Sequence, residues 1–205
     1  MASVADLAAC ADRHLDTYCT GRAYAWPAYD IDPNPKLLTA MDLLAPALLN
    51  ASVSWSAALA MANSGDSDDD APRELWNALT TVVEDAQAHL VVFDEIENLD
   101  SDASWMKAHK AFEACQDVFS IKSTKVSKIL HRKLPDLVPI NDRLVRNFYD
   151  VGASSLWPAL HDDIAANRTQ IDDLRSKWSL PDGRPMSRLR CADIAIWMHM
   201  KSGCE

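Results

Sequence analysis

Asp142 is the residue in this chain whose type and position most directly suggest chemistry. It follows Val138-Pro139-Ile140-Asn141 and stands where a helix carrying Leu144, Val145 and Phe148 on one side is expected to begin. A charged carboxylate is favoured at a helix start by the unpaired N–H groups and by the helix dipole. Held there, it can accept a proton or stabilise a developing cation. The simpler reading is that Asn141 or Asp142 only caps the helix, because both residue types are preferred at that position. His131, eleven residues earlier, is the candidate proton-transfer partner, reaching Asp142 if the intervening loop folds back. His109 and Glu113, four apart, form a second such pair or an ordinary helix-surface pair.

Positive charge gathers around these residues. Between 122 and 146 there are seven Lys or Arg against two acids, a local balance of +5 in a chain of net charge −10. Lys125, Lys128 and Arg132 fall at helical spacing, and Arg143, Asn141, Arg146 and Tyr149 flank Asp142. Such a stripe is either a solvated helix face or a site for an anionic group, since guanidinium and ammonium donors suit phosphate, sulfate and carboxylate. Trp197, on the last expected helix, either reaches a pocket or locks the core. The acidic balance of the whole chain disfavours duplex DNA as a partner, because stable DNA binding rests on neutralising phosphates.

The elements that must position these groups are helical. The 205 residues are 48% hydrophobic with only 5 Gly, enough for a core and too few for many tight hairpins. Apolar residues recur at helical spacing over Ala2 to Thr20, Ala40 to Asn50 (Thr39 capping), Ser52 to Ala62, Pro72 onward, Ala103 to Val118 (Ser101 or Asp102 capping), and Ser123 or Thr124 to Leu134. Leu156 to Ala166, Ile171 to Trp178 and Ser187 to Met200 complete the set. Pro135 and Pro139 bound the loop before Asp142. Ala88 to Phe93 is the one stretch that could pass for a strand. Tyr24, Trp26 and Tyr29, with Asp30 and Asp32, lie in a Pro-broken segment over 22–35. Residues 63–71 form an acidic loop. The expectation is a single compact helical domain over 1–205, with possible lobes 1–63 plus 150–205 and 72–149.

The central segment resembles the helix-hairpin-helix DNA glycosylase superfamily through Thr124-Lys125-Val126-Ser127, Pro135, Val138-Pro139-Ile140-Asn141-Asp142, and Val145-Arg146. Ile121-Lys122-Ser123 stand where that family's hairpin carries glycines. The whole chain also resembles an actinobacterial domain family of unknown function, through residues 34–46, the central segment and residues 189–198. The first resemblance implies an all-α, two-lobed fold with a catalytic Asp at position 142. The preferred expectation is a glycosylase-fold enzyme repurposed for a small metabolite, using Asp142 as general base or cation stabiliser in C–N bond chemistry or ring closure. The alternatives are a DNA or nucleoside N-glycosylase, which would have to flip its base into a pocket, and a non-catalytic binding subunit of a hetero-oligomer.

No cofactor or metal is expected. Five scattered cysteines (Cys10, Cys19, Cys115, Cys191, Cys204) with no C-x-x-C suggest reduced thiols in a cytoplasmic protein. Cys10, Cys19 and His14 fit no zinc spacing. No apolar run is long enough to span a membrane.

Overall fold

The computed structural model describes residues 2–21, 26–32, 34–63, 70–118 and 120–204. Tyr24 and Pro33 of the Pro-broken segment and most of the acidic loop lie outside them. Among the described residues the chain is all-α: α1 (Ala11–Thr20), α2 (Trp26–Tyr29), α3 (Ala40–Leu44), α4 (Trp55–Ala62), α5 (Asp70–His89), α6 (Ala103–Ala114), α7 (Ser123–Lys133), α8 (Arg143–Tyr149), α9 (Leu156–Ala166), α10 (Arg168–Arg175) and α11 (Arg188–Ser202). Short 3-10 turns occupy Val4–Leu7, Ala45–Leu49 and Phe93–Glu95.

Several helix ends follow from local chemistry. Asp102 accepts from Trp105 N at 2.8 Å and starts α6. Ser187 accepts from Arg190 N at 3.0 Å and starts α11. Other ends differ from the periodicity reading. The expected helix from Ala40 to Asn50 is α3 followed by a 3-10 turn, because Pro46 lacks the N–H that an α-helix needs there. The expected first helix breaks before Cys10, which serves as the N-cap of α1. The strand candidate at Ala88 to Phe93 is the end of α5, then Leu90 at φ 45°, then a 3-10 turn. Lys122 occupies the N-cap of α7, so Ser123 lies one place inside the helix instead of capping it.

The chain divides into two units. Unit 1 comprises 1–31, 93–95 and 139–205. Its centre is α11, packed against α1, α8 and α10. Leu189, Cys191, Ala192, Ile194, Ala195, Ile196 and Met198 are all buried, so this helix is covered on most sides. Arg190 is buried with them. Its guanidinium donates from Nε to Asp30 Oδ1 and from Nη2 to Asp30 Oδ2, both at 2.9 Å, and also pairs with Asp193 and the Tyr18 hydroxyl. A buried charge is tolerated only with such partners.

Unit 2 comprises 32–92 and 96–138. Leu75, Leu79, Val82, Val83 and Ala86 of α5 pack toward α6, whose Trp105, Ala108, Ala111 and Phe112 are buried. α7 contacts α3, α5 and α6. The division runs elsewhere than the lobes read from the sequence. Residues 32–63 join unit 2, where α3 meets α4 and α7, and 139–149 join unit 1, where α8 packs on α9 and α11.

Candidate functional site

Asp142 is half-buried and is the N-cap of α8, with extended backbone (φ −102°, ψ 146°). Its Oδ1 accepts from Leu144 N at 2.9 Å. Beside it, Asn141 is buried and its Oδ1 accepts from Arg146 Nη1. Arg143 is exposed. Tyr149 is buried and donates to Asp163 Oδ2 at 2.7 Å; burial and the Asp163 carboxylate push its phenol well above the ordinary range. Asp163 also accepts from Val4 N at 2.8 Å and from Ser3, so Tyr149 helps anchor the N-terminal turn. Trp197 meets Trp26 edge to face at 4.7 Å, and Lys201 Nζ lies 3.9 Å from the Trp26 ring centre and 4.8 Å from that of Trp197. Burial lowers the Lys201 pKa.

His131 belongs to unit 2 and is fully buried. Its Nδ1 lies 2.7 Å from the Val138 carbonyl. A carbonyl only accepts, so Nδ1 carries a proton and the imidazole ties the Pro135 loop to α7. His109 and Glu113 are a surface pair, 3.5 Å apart, with His109 half-buried and Glu113 exposed.

The expected basic stripe of α7 is turned inward. Lys125 Nζ donates to Ser120 O at 2.5 Å, and buried Lys128 donates to Leu49 O at 2.9 Å. These bonds cap loop carbonyls. Lys133, counted in the local charge but not singled out from the sequence, is the centre of a four-charge cluster. Its Nζ lies 3.0 Å from Asp32 Oδ2 and 3.0 Å from Asp42 Oδ1, and it donates to Asn34 O at 2.8 Å. Arg132 pairs with Asp42 and lies 3.6 Å from Asp32 Oδ1. The side chains of Lys133, Asp32 and Asp42 are each 1% exposed. Asp42 also closes the start of α3, accepting from Thr39 N at 2.7 Å and from Thr39 Oγ1 at 2.8 Å. Two carboxylates and two cations balance.

This cluster forms the polar wall of a cavity of about 320 Å³. Leu44, Ala45, Leu48 and Met41 supply its apolar wall, with Thr39 and Asn34 at the polar side. A second cavity of about 350 Å³ lies on the other side of Lys133, against the end of α5 and Leu134 to Leu137. An apolar pocket with a few convergent polar groups is the usual form of a small-molecule site. Asp32 lies in the Pro-broken segment and Asp42 in the first turn of the helix that Thr39 starts, so neither is marked by its own neighbourhood as a partner of α7. Nothing in local periodicity places them 101 and 90 residues from their partners Lys133 and Arg132.

The cysteines depart from expectation. Cys10 and Cys204 are joined in a disulfide, S–S 2.08 Å with Cα atoms 5.3 Å apart. Their 194-residue separation hides the pairing from any spacing rule. Cys19, Cys115 and Cys191 are free thiols. Burial is the main cause raising each: Cys19 and Cys115 to about 11, and Cys191 to about 12.

Among the described residues the protein is all-α. The chain belongs to the family described as "Family of unknown function (DUF6308)", whose model matches residues 6–200. No curated protein matches the chain. No solved structure matches it. Among the described residues, no helix is long and apolar enough to cross a membrane.

Proposed function

We propose that this protein binds a small metabolite in the unit 2 cavity between α3 and the end of α7. The observation that carries this is the four-charge cluster forming one wall of an otherwise apolar cavity of about 320 Å³. Balanced charge on that wall suits a ligand with an apolar body and a zwitterionic head, one ammonium and one carboxylate. Such a ligand can exchange hydrogen bonds with Asp32, Asp42, Arg132 and Lys133 without leaving a net buried charge. Occupied cations on α7 also argue against a nucleic-acid groove. Lys125, Lys128, Arg132 and Lys133 all serve protein acceptors, whereas phosphate contacts supply most of the affinity for DNA.

Enzymatic use of Asp142 is the second reading, favoured by its half-buried place at the start of α8 with Oδ1 held by Leu144 N. There it serves as general base or cation stabiliser in C–N bond chemistry or ring closure on a small metabolite, as the glycosylase resemblance suggests.

The test is ligand capture from a metabolite pool by native mass spectrometry, repeated with Leu48→Trp. Leu48 is half-buried on the cavity wall, so an indole there fills the space with little cost to the core. Wild type is expected to retain a small molecule and raise its melting temperature, and the variant to lose both effects. Equal capture by Leu48→Trp would remove the cavity from the proposal.

A further inference from the structure

The two ends of the described chain meet in unit 1 with four metal-ligating side chains. Cys10 is the N-cap of α1, and His14 stands four residues on, its N–H bonded to Cys10 O at 3.0 Å. Residues i and i+4 share one helix face, so both side chains project to the same side. At the other end, His199 lies in the last turn of α11. Gly203 follows at φ 69°, ψ −172°, with its N–H on His199 O at 2.7 Å. A side chain at 203 would be strained in that conformation, so glycine is what lets the chain turn back over the helix end. Cys204 then lies with Sγ 3.2 Å from His199 Nδ1.

The result is a single cluster: one ligand atom from each of Cys10, His14, His199 and Cys204, all within 4.8 Å of one another. The His14 and His199 rings are 6.1 Å apart at 64°. A second observation points the same way. His14 is 2% exposed, and its Nε2 is buried with no hydrogen-bond partner among the described residues. Buried polar atoms without partners are uncommon and call for a reason. Two sulfurs and two imidazoles are a closed donor set for tetrahedral Zn²⁺, whose bonds of about 2.3 Å to sulfur and about 2.0–2.1 Å to nitrogen place donors roughly 3.3–3.8 Å apart. The cluster is already nearly that compact.

We infer that Cys10, His14, His199 and Cys204 form a Cys2His2 zinc site in the reduced chain, clasping the start of α1 to the end of α11. The disulfide and the metal use the same sulfurs and exclude each other. Reduction of the disulfide by a thiol or phosphine reductant delivers two electrons and two protons to give two thiols. Zn²⁺ then displaces both thiol protons, and the two thiolates and two neutral imidazoles each donate a lone pair to it. The site is structural, because four protein ligands fill the tetrahedron.

The test uses the full chain, reduced with a phosphine and loaded with Zn²⁺ or with Co²⁺ as a spectroscopic probe. Wild type is expected to retain one equivalent of zinc after desalting and to show cobalt–thiolate charge-transfer absorption with tetrahedral ligand-field bands. Cys204 is exposed, so Cys204→Ser leaves the core intact. It is expected to bind zinc more than about 100-fold more weakly, beyond what loss of even an outer-shell partner costs. Cys19→Ser, at a cysteine outside the cluster, keeps full uptake. Chelation lowers the melting temperature of reduced wild type and leaves Cys204→Ser unmoved. No zinc and no cobalt–thiolate band in the reduced wild type, or undiminished uptake by Cys204→Ser, would overturn the site.

Discussion

Replacing Lys133 by Met removes one cation from a buried cluster of two carboxylates and two cations. Asp32 and Asp42, each 1% exposed, then share Arg132 as the cation of the cluster. Arg132 pairs closely with Asp42 but lies 3.6 Å from Asp32 Oδ1, so Asp32 keeps a distant cation and the Asn34 N–H at 3.0 Å. Breaking a buried pair from one side costs about 3–5 kcal/mol, because the remaining charge is both desolvated and uncompensated. For a chain of this length that corresponds to a fall of roughly 6–20 °C in melting temperature. Asn34 is exposed, so water takes over the carbonyl that Lys133 leaves behind. The informative comparison is the double variant Asp32→Asn with Lys133→Met, measured by urea unfolding alongside both singles. It restores one cation to one anion and keeps a side-chain acceptor for Asn34 N. It is expected to be more stable than Lys133→Met alone. If Lys133→Met costs less than about 1 kcal/mol, the size of a surface pair, or if the double variant loses the sum of the singles, the charge-balance argument is refuted.

The carboxylates of unit 1 give two further expectations. At Asp142, Asn caps a helix about as well as Asp, while Ala forfeits about 0.5–2 kcal/mol. Urea unfolding should therefore find Asp142→Asn near wild type and Asp142→Ala clearly weaker, and equal losses would show that the carboxylate does more than cap. Asp172 receives Nε and Nη2 of Arg188 at 2.9 and 3.0 Å and Nε of Arg175 at 2.6 Å. The Arg188 hydrogen bonds are the main cause holding its pKa below the ordinary carboxylate value, against the opposing effect of burial. A lowered folded pKa means stability that is present above the unfolded value of about 3.9 and lost as pH falls through the folded one. The stability gap between wild type and Asp172→Asn should thus be open at pH 7 and close in strong acid; a gap that is constant with pH would contradict the pairing.

Local rules decided where most helices lie. Ser187 and Asp102 accept from the third residue after them, Pro135 follows α7, and Pro46 turns a helix into a 3-10 run, all through backbone chemistry within a few residues. The helical spacing of apolar residues from Pro72 onward likewise agrees with the buried face of Leu75, Leu79, Val82 and Val83. Asp142 at the start of α8 belongs to the same class of local inference. The direction a charge faces does not. Lys125, Lys128 and Arg132 have helical spacing whether they meet solvent or protein; Lys125 bonds the Ser120 carbonyl just before its own helix, and the packing of 32–50 against α7 gave Lys128 and Arg132 their partners.

By itself, the sequence determined an all-α chain and ends such as those at Asp102 and Pro135, because caps, prolines and apolar period act over one or two turns; the break at Pro46 within Ala40 to Asn50 was not read from it. Only tertiary structure decided which ionic and sulfur groups meet. Asp32 with Lys133, Arg190 with Asp30, and Cys10 with Cys204 are brought together across 101, 160 and 194 residues. The physical reason is that a buried charge or thiol is stabilised by whatever partner the packed core delivers, and no spacing along the chain encodes that partner.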